Sequence, residues 1–161
     1  MTKDFAKPFV STPMTVEPEW IDYNGHLNMA FYNVLMDRGV DQIWEELGFG
    51  PEYRARTGCT TFSAEYHMRY VREIHEGDKV VVTFQLLDHT PKSFHFYQEL
   101  IHEEGWISAT GEGLSLHVDQ SGPKVVPMPP DIQANLEALM AAHRDMPVPA
   151  HVGHPIGIRR K

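Results

Sequence analysis

The chain has 161 residues, 42% of them hydrophobic and 22% charged, with a formal net charge of −8 and a pI near 5.6. This is one domain's worth of an ordinary folding composition, which excludes disorder and a surface that binds nucleic acid non-specifically, since that needs a dense field of Lys and Arg. No apolar run is long enough to span a bilayer and the start lacks the apolar core of an export signal, so the expectation is a cytoplasmic protein with neither membrane nor nucleic acid as partner. The single cysteine, Cys59, has no internal disulfide partner, which fits a reducing compartment, and its ordinary role is that of a small packing residue.

Residues 16–28, VEPEWIDYNGHLN, read as a strand-like run ending in Asp22, a turn containing Gly25 and the start of a helix. This is a candidate active site, because a carboxylate at a strand end supplies a base or nucleophile and a helix N-terminus supplies backbone N–H donors. From 28 to 48 the apolar residues Tyr32, Leu35, Met36, Val40, Ile43, Trp44 and Leu47 recur three and four apart, while Asp37, Arg38, Asp41, Glu45 and Glu46 mostly fill the other face. The spacing predicts a helix of about five turns, at ~3.6 residues per turn. Asn28 is the expected N-cap, Gly48 the expected stop, and Pro51 is expected to take the chain out of helical geometry.

After Gly58 the period becomes two, with Phe62, Ala64, Tyr66, Met68 and Tyr70 alternating with polar residues, which predicts a long strand. The alternation shifts at Val71, so a bulge or bend is expected at 70–72, before the turn Glu76-Gly77-Asp78. Three further strands are predicted at 79–87, 93–101 and 106–118, forming an antiparallel meander. In the last of them Ala109, Gly111, Gly113 and Ser115 share a smooth face, on which the helix is expected to lie. A second helix over 131–143 follows from Ile132, Leu136, Leu139 and Met140. The expected division is one domain over 1–146 and a Pro/His/Gly-rich tail over 147–161, either mobile or docked onto a neighbour. A long helix wrapped by a meander of about five strands is an α+β arrangement, and pairing two such sheets across a two-fold axis would satisfy their open edges.

The run DYNGHLNMAFY, the long helix and then FSAEYHMRYVREIHEGDKV resemble the hotdog-fold acyl-CoA thioesterases of the 4-hydroxybenzoyl-CoA thioesterase type, over residues 15–118. VEPEWIDYNGHLN, with the later QLLD and LSLHVD, is similar to the thioesterases of carnitine breakdown, whose substrate is betainyl-CoA. The resemblance implies a curled antiparallel sheet around a central helix and a dimer or dimer-based tetramer with active sites at the subunit interface. It also implies a coenzyme A thioester as substrate, Asp22 as the catalytic acid, and an oxyanion donor at the backbone N–H near Met29.

A thioester carbonyl is a good electrophile, so a placed carboxylate and one or two N–H donors are sufficient machinery. Asp22 either attacks directly, giving a mixed anhydride, or deprotonates a water, and both routes stay open. The ordinary alternative for Asp22 is a turn or cap. His26 either orients the water or substrate carbonyl or packs in the turn; Asn28 either contacts the thioester or caps the helix; Tyr32 lines the acyl pocket or belongs to the core. Trp20, Tyr23, Phe31, Trp44 and Tyr66 are either core or include some rings that form a box for a quaternary ammonium. An aliphatic pocket for medium or longer acyl chains is the competing version. Arg69, Arg72 and Lys92 are candidates for the phosphates of coenzyme A, against the alternative of ordinary solvated charges. Of the ten histidines none forms a His-Glu-x-x-His pattern, and His151 with His154 makes at most two ligands, so neither a metal nor another cofactor is expected. Gly25-His26-Leu27 stands where a His-Gly-Gly motif would accompany a helix-borne catalytic Glu, and Asp22 argues against a dehydratase-like pairing of His26 with Asp37 or Glu45. A non-catalytic acyl-CoA sensor, or a module serving only assembly, is the reading from another class.

Overall fold

A computed structural model describes residues 3–160. It begins with two short strands, β1 (Phe9–Val10) and β2 (Met14–Thr15), and the run expected to stay extended up to Asp22 is interrupted by a 3₁₀ turn at Pro18–Trp20. Proline explains the difference, because its fixed φ suits the first turn of a helix and it has no N–H to give to a sheet.

The next element is α1 (Met29–Leu47), which buries the predicted stripe Tyr32, Leu35, Met36, Ile43, Trp44 and Leu47. The Asn28 side chain accepts from the amide of Ala30 at 3.0 Å, capping the helix. At the other end Gly48, at φ +98°, turns the chain left-handed and its N–H returns to the carbonyls of Trp44 and Glu45. Pro51 does not end helical geometry as expected. It opens α2 (Pro51–Thr57), whose first turn needs no donor from it.

The meander follows as β3 (Cys59–Tyr70), β4 (Lys79–His89), β5 (Ser93–His102) and β6 (Ile107–Asp119). A two-residue β7 (Lys124–Val125) pairs with β6, and α3 (Pro130–His143) closes the core. The sheet order is β1-β4-β5-β6-β3, with β2 also on β4, so β3 lies at an edge. The expected bend is present, since the amides of Val71 and Arg72 both donate to the carbonyl of Ser108, at 2.9 and 3.0 Å. A second irregularity, between Ser63 and Glu65, was not legible in the alternation.

The helix does not lie on the smooth face of β6. The space above Gly111 is taken by the ring of Tyr66 and that above Gly113 by the ring of Phe96, both from neighbouring strands, so small residues there receive aromatic side chains rather than a helix. Instead α1 is seated on β4, where a Cβ on Gly39 would stand 2.5 Å from Cβ of Val82. One apolar cluster gathers around Trp44, whose ring meets Phe84, Phe94 and Phe96 at 5.0–5.8 Å and which α3 covers with Ile132, Leu136 and Leu139. The other gathers Trp20, Leu35, Met36, Val80, Val82 and Leu100. Cys59 packs half-buried against the first cluster. The segment after Pro147 folds back on its own sheet, where the amide of Gly153 donates to the Glu112 carboxylate at 3.0–3.1 Å. No helix among the described residues is long and apolar enough to cross a membrane.

His143 ties the C-terminal helix to the sheet and to the N-terminal segment. Its Nδ1 accepts from the amide of Leu86 and its Nε2–H donates to the carbonyl of Ala6, both at 2.9 Å. Burial depresses its pKa below the ordinary 6.5, with Lys7 adding in the same direction and the bond to Ala6 opposing. The unfolded chain therefore binds this proton more readily than the folded one, so the contribution is fully present above pH 6.5 and is lost as pH falls below it toward the folded value. Chemical denaturation of His143→Leu is expected to show a loss of about 1–3 kcal/mol at neutral pH, because Leu86 N–H and Ala6 C=O lose their partner, and a shallower decline in stability below about pH 6.5 than the wild type.

Candidate active site

The segment from Trp20 to Asn28 is a loop whose two ends are latched together and onto the connection between β3 and β4. Ile21 and Leu27 form an antiparallel bridge, the amide of Asn28 donates to Trp20 O at 2.9 Å, and the amide of Leu27 donates to Ile74 O at 2.8 Å. Leu27 anchors this arrangement by complete burial. At the tip Gly25 takes φ +81°, a conformation that costs residues with a Cβ, and its amide closes a turn onto the carbonyl of Asp22 at 2.9 Å.

Within this loop one carboxylate oxygen of Asp22, Oδ1, accepts from the amide of Asn24 at 2.8 Å. The turn role is therefore real, yet it uses only one of the two oxygens. Oδ2 makes no hydrogen bond among the described residues and is left to act on something else. Asp22 borders a cleft of about 490 Å³ together with His26, Asn28, Met29, Tyr32, Tyr70 and Arg72. The amide of Met29, the first of α1, makes no hydrogen bond among the described residues, and Met29 lines the same cleft as the acid. Asn28 spends its side-chain oxygen on capping, and His26 Nδ1 has only a long contact of 3.3 Å with Leu27 O.

Tyr32 and Tyr70 form the floor, ring edge to ring face at 5.1 Å, and Tyr70 Oη donates to Met29 O at 3.3 Å. Burial raises the pKa of both phenols, so they stay protonated donors at neutral pH. Tyr70 and the neighbouring Glu73 are not marked out by the sequence, where they sit among unremarkable strand and loop residues some fifty positions from Asp22; only the fold brings them to the cleft. Arg72 joins the cleft with its guanidinium stacked 3.9 Å over the ring of Trp106.

The five aromatic candidates do not all gather in one place. Trp20 is buried, stacked on Phe31 at 5.6 Å, and already carries the Arg38 guanidinium 5.0 Å over its ring. Tyr23 is 98% exposed at the rim of the cleft. Trp44 and Tyr66 line a separate cavity of about 280 Å³ between the middle of α1 and the start of β3, with Asp37, Asp41, Thr61 and Phe96. There Trp44 Nε1 donates to Thr61 Oγ1 at 2.7 Å and Tyr66 Oη to Gln98 Oε1 at 2.9 Å. Partial burial above all raises the pKa of Asp41, with the charges of Asp37 and Glu45 adding in the same direction. Of the remaining candidates, Arg69 lies on the outer face of β3 beside His67 and His151. Lys92 sits in the β4–β5 turn at the far end of the sheet, since its neighbour Ser93 is in register through Leu116 with Phe62, about 26 Å along β3 from Tyr70 at ~3.3 Å per residue. Among the described residues no group of three or more His, Cys, Asp or Glu side chains is placed to hold a metal ion.

Known proteins resemble this chain in sequence and in fold. The model of the Thioesterase-like superfamily matches residues 16–136. A Pseudomonas aeruginosa protein named betainyl-CoA thioesterase is 38% identical over 144 residues, which are 89% of this chain and 91% of that one. An Agrobacterium fabrum protein named L-carnitine dehydrogenase/betainyl-CoA thioesterase is 32% identical over 137 residues, 85% of this chain but 28% of that longer one. Among solved structures, a Staphylococcus aureus protein in complex with CoA superposes with a TM-score of 0.84 at 25% identity, covering 99% of this chain and 100% of that one. A DHNA-CoA thioesterase, also from Staphylococcus aureus, shares the fold with a TM-score of 0.78 at 16% identity, covering 86% of this chain and 96% of that one. With the hotdog arrangement of helix and sheet in place and the family model spanning the Asp22 loop, α1 and the whole meander, the chain belongs to the thioesterase-like superfamily.

Proposed function

We propose that the protein hydrolyses a coenzyme A thioester, with betainyl-CoA as substrate, in the cytoplasm. The observation that carries the reading is the pairing, in one cleft, of an acid held by a single oxygen with the free first amide of α1. Asp22 Oδ2 either adds to the thioester carbonyl, expelling the thiolate and leaving a mixed anhydride that water opens, or takes a proton from the water that adds. In both routes the carbonyl oxygen becomes an oxyanion, and the Met29 N–H is the donor that stabilises it. The 1–146 unit carries this machinery and takes no further cofactor.

The active form is at least a dimer built on β3. Among the described residues its outer edge is unpaired, and Met29, Phe62, Tyr70 and Val71 expose apolar surface along it. A two-fold axis through the middle of an antiparallel β3 pair sets the Tyr70 end of one copy against the Cys59 end of the other. The Asp22 cleft of one copy then opens toward the Trp44–Tyr66 cavity of the second. That cavity joins aromatic faces to the carboxylates of Asp37 and Asp41, which suits a quaternary ammonium better than an aliphatic chain. The betainyl group puts its cation close to the scissile carbonyl, so it needs the two sites face to face, whereas along one helix Met29 and Asp37 lie about 12 Å apart at ~1.5 Å per residue. The names of the relatives point the same way.

Initial rates of thiol release across a panel of acyl-CoA esters test this. Betainyl-CoA is expected to be turned over fastest, with Asp22→Asn lowering kcat by roughly 10²–10⁴-fold; rates that climb with aliphatic chain length would remove the cation assignment and keep the enzyme class. Mixing Asp22→Asn with Asp37→Asn/Trp44→Leu protein under exchanging conditions is expected to recover activity if each site draws on two copies. For Asn28, replacement by Ala is expected to cost about 1 kcal/mol of stability in thermal melts, whereas Ser keeps the cap. A fall in kcat for the Ser variant would place Asn28 in contact with the thioester rather than in the cap alone.

A further inference from the structure

Because side chains alternate along a strand, the residues of β3 that flank the inward-facing Tyr66 and Tyr70 point outward, and two of them are His67 and Arg69. The segment after α3 folds onto this outer face. Its anchor is the Gly153 amide on the Glu112 carboxylate, which also accepts from His95 Nε2 at 2.8 Å. With the segment in place, His67, Arg69, His151, His154 and Arg159 enclose a hollow of about 260 Å³ whose remaining wall is Pro155 to Gly157. Arg159 Nη2 lies 3.2 Å from His154 Nδ1, and the rings of His151 and His154 are 6.3 Å apart.

The charge of this hollow runs against that of the molecule. The chain carries a net −8, yet residues 147–161 contain no Asp or Glu and end in Arg159, Arg160 and Lys161. Among the described residues no carboxylate lines the hollow. Glu65 and Glu112 border the adjoining one, and Glu112 is already engaged by His95 and Gly153. His151 has its pKa depressed by desolvation and by the positive charges of Arg69, His154 and Arg159, which is what cations gathered without a counter-ion do to an imidazole. Two guanidiniums and three imidazoles converging on one concavity form an anion site, with the fork geometry that suits phosphate oxygens.

We infer that this hollow, built jointly by β3 and the C-terminal segment, binds the phosphates at the nucleotide end of the coenzyme A thioester. The inference rests on the thioesterase reading and names its second anchoring point. Arg69 immediately precedes Tyr70, which lines the Asp22 cleft, so the catalytic cleft and the hollow lie on opposite faces of one strand end. Past Tyr70 the chain leaves the ladder, and the pantetheine arm passes around that end, with the thioester inside and the nucleotide outside. The tail is thereby assigned as part of the substrate site.

Two measurements decide this. In calorimetric titration with adenosine 3′,5′-bisphosphate, the wild type is expected to bind, and Arg69→Ala and Arg159→Ala to bind about tenfold more weakly or not at all, while Lys124→Ala, which removes an exposed cation elsewhere, binds as the wild type does. In steady-state kinetics Arg159→Ala is expected to raise KM for the CoA ester by about tenfold with kcat nearly unchanged, to raise it less for the 3′-dephospho-CoA ester, and to leave KM for the acyl-pantetheine ester where it was. An equal change for the CoA and pantetheine esters, no change for either, or equal weakening by Lys124→Ala would overturn the assignment. If no ester is turned over, the thioesterase reading fails, and the titration still decides whether the hollow is a phosphate site.

Discussion

Seating α1 directly on β4 is the constraint on which the remaining structure depends. Gly39 meets Val82 with no side chain between them, and the helix settles so close that Gln98, fully buried on β5, donates to the carbonyl of Met36 at 3.1 Å. A methyl group at position 39 would have to displace β-branched Val82 within a packed core, which has little room to yield. This contact fixes the distance of the helix from the sheet along its whole length. It therefore fixes both ends of the groove between α1 and β3, where the Asp22 cleft and the Trp44–Tyr66 cavity lie.

The Asp22 loop inherits its rigidity from that seating. Latched by Leu27 to Ile74 and by Asn28 to Trp20, it holds Asp22 by one oxygen at the mouth of a helix whose first amide has no other acceptor among the described residues. Such a site needs no mobile lid to place its groups, because backbone hydrogen bonds have done so before substrate arrives. The electrostatics divide in the same way. A helix N-terminus favours the negative charge that develops at the carbonyl, carboxylates at Asp37 and Asp41 favour a cation farther along the groove, and the cationic hollow on the outer face favours phosphate. The carboxylate of Asp22, those of Asp37 and Asp41 and the cations of the outer hollow are thus kept apart by the sheet and the helix, which prevents them from neutralising one another.

The local grammar of the chain was legible where short-range physics decides. The apolar spacing from Tyr32 to Leu47, the cap at Asn28, the left-handed stop at Gly48 and the alternation from Phe62 to Tyr70 each follow from neighbours within a turn or a pleat. Where the reading went astray, a residue had two local meanings and the tertiary environment chose. Pro51 serves as well to open a helix as to follow one. The small residues of β6 made room, but for the rings of Tyr66 and Phe96, which only strand pairing brings over them. The aromatic candidates fall into three environments, Trp20 with Phe31 in the core, Tyr23 at the rim and Trp44 with Tyr66 in a separate cavity, because a ring near Asp22 in sequence, such as Trp20, points into the core while a distant one, Tyr70, comes to the cleft.

The sequence by itself determined α1, the four long strands β3 to β6 and α3, their order, the α+β class and the turn-to-helix unit that carries Asp22, since these rest on periodicity, capping and contacts a few residues apart. Only the tertiary structure decided which face of the sheet receives α1, which end of β3 each basic residue occupies, and that the segment after Pro147 returns to Glu112. Those outcomes depend on register and on side chains meeting across forty or more residues of chain, and no local pattern encodes such meetings, because many pairings satisfy the same alternation and packing alone selects among them.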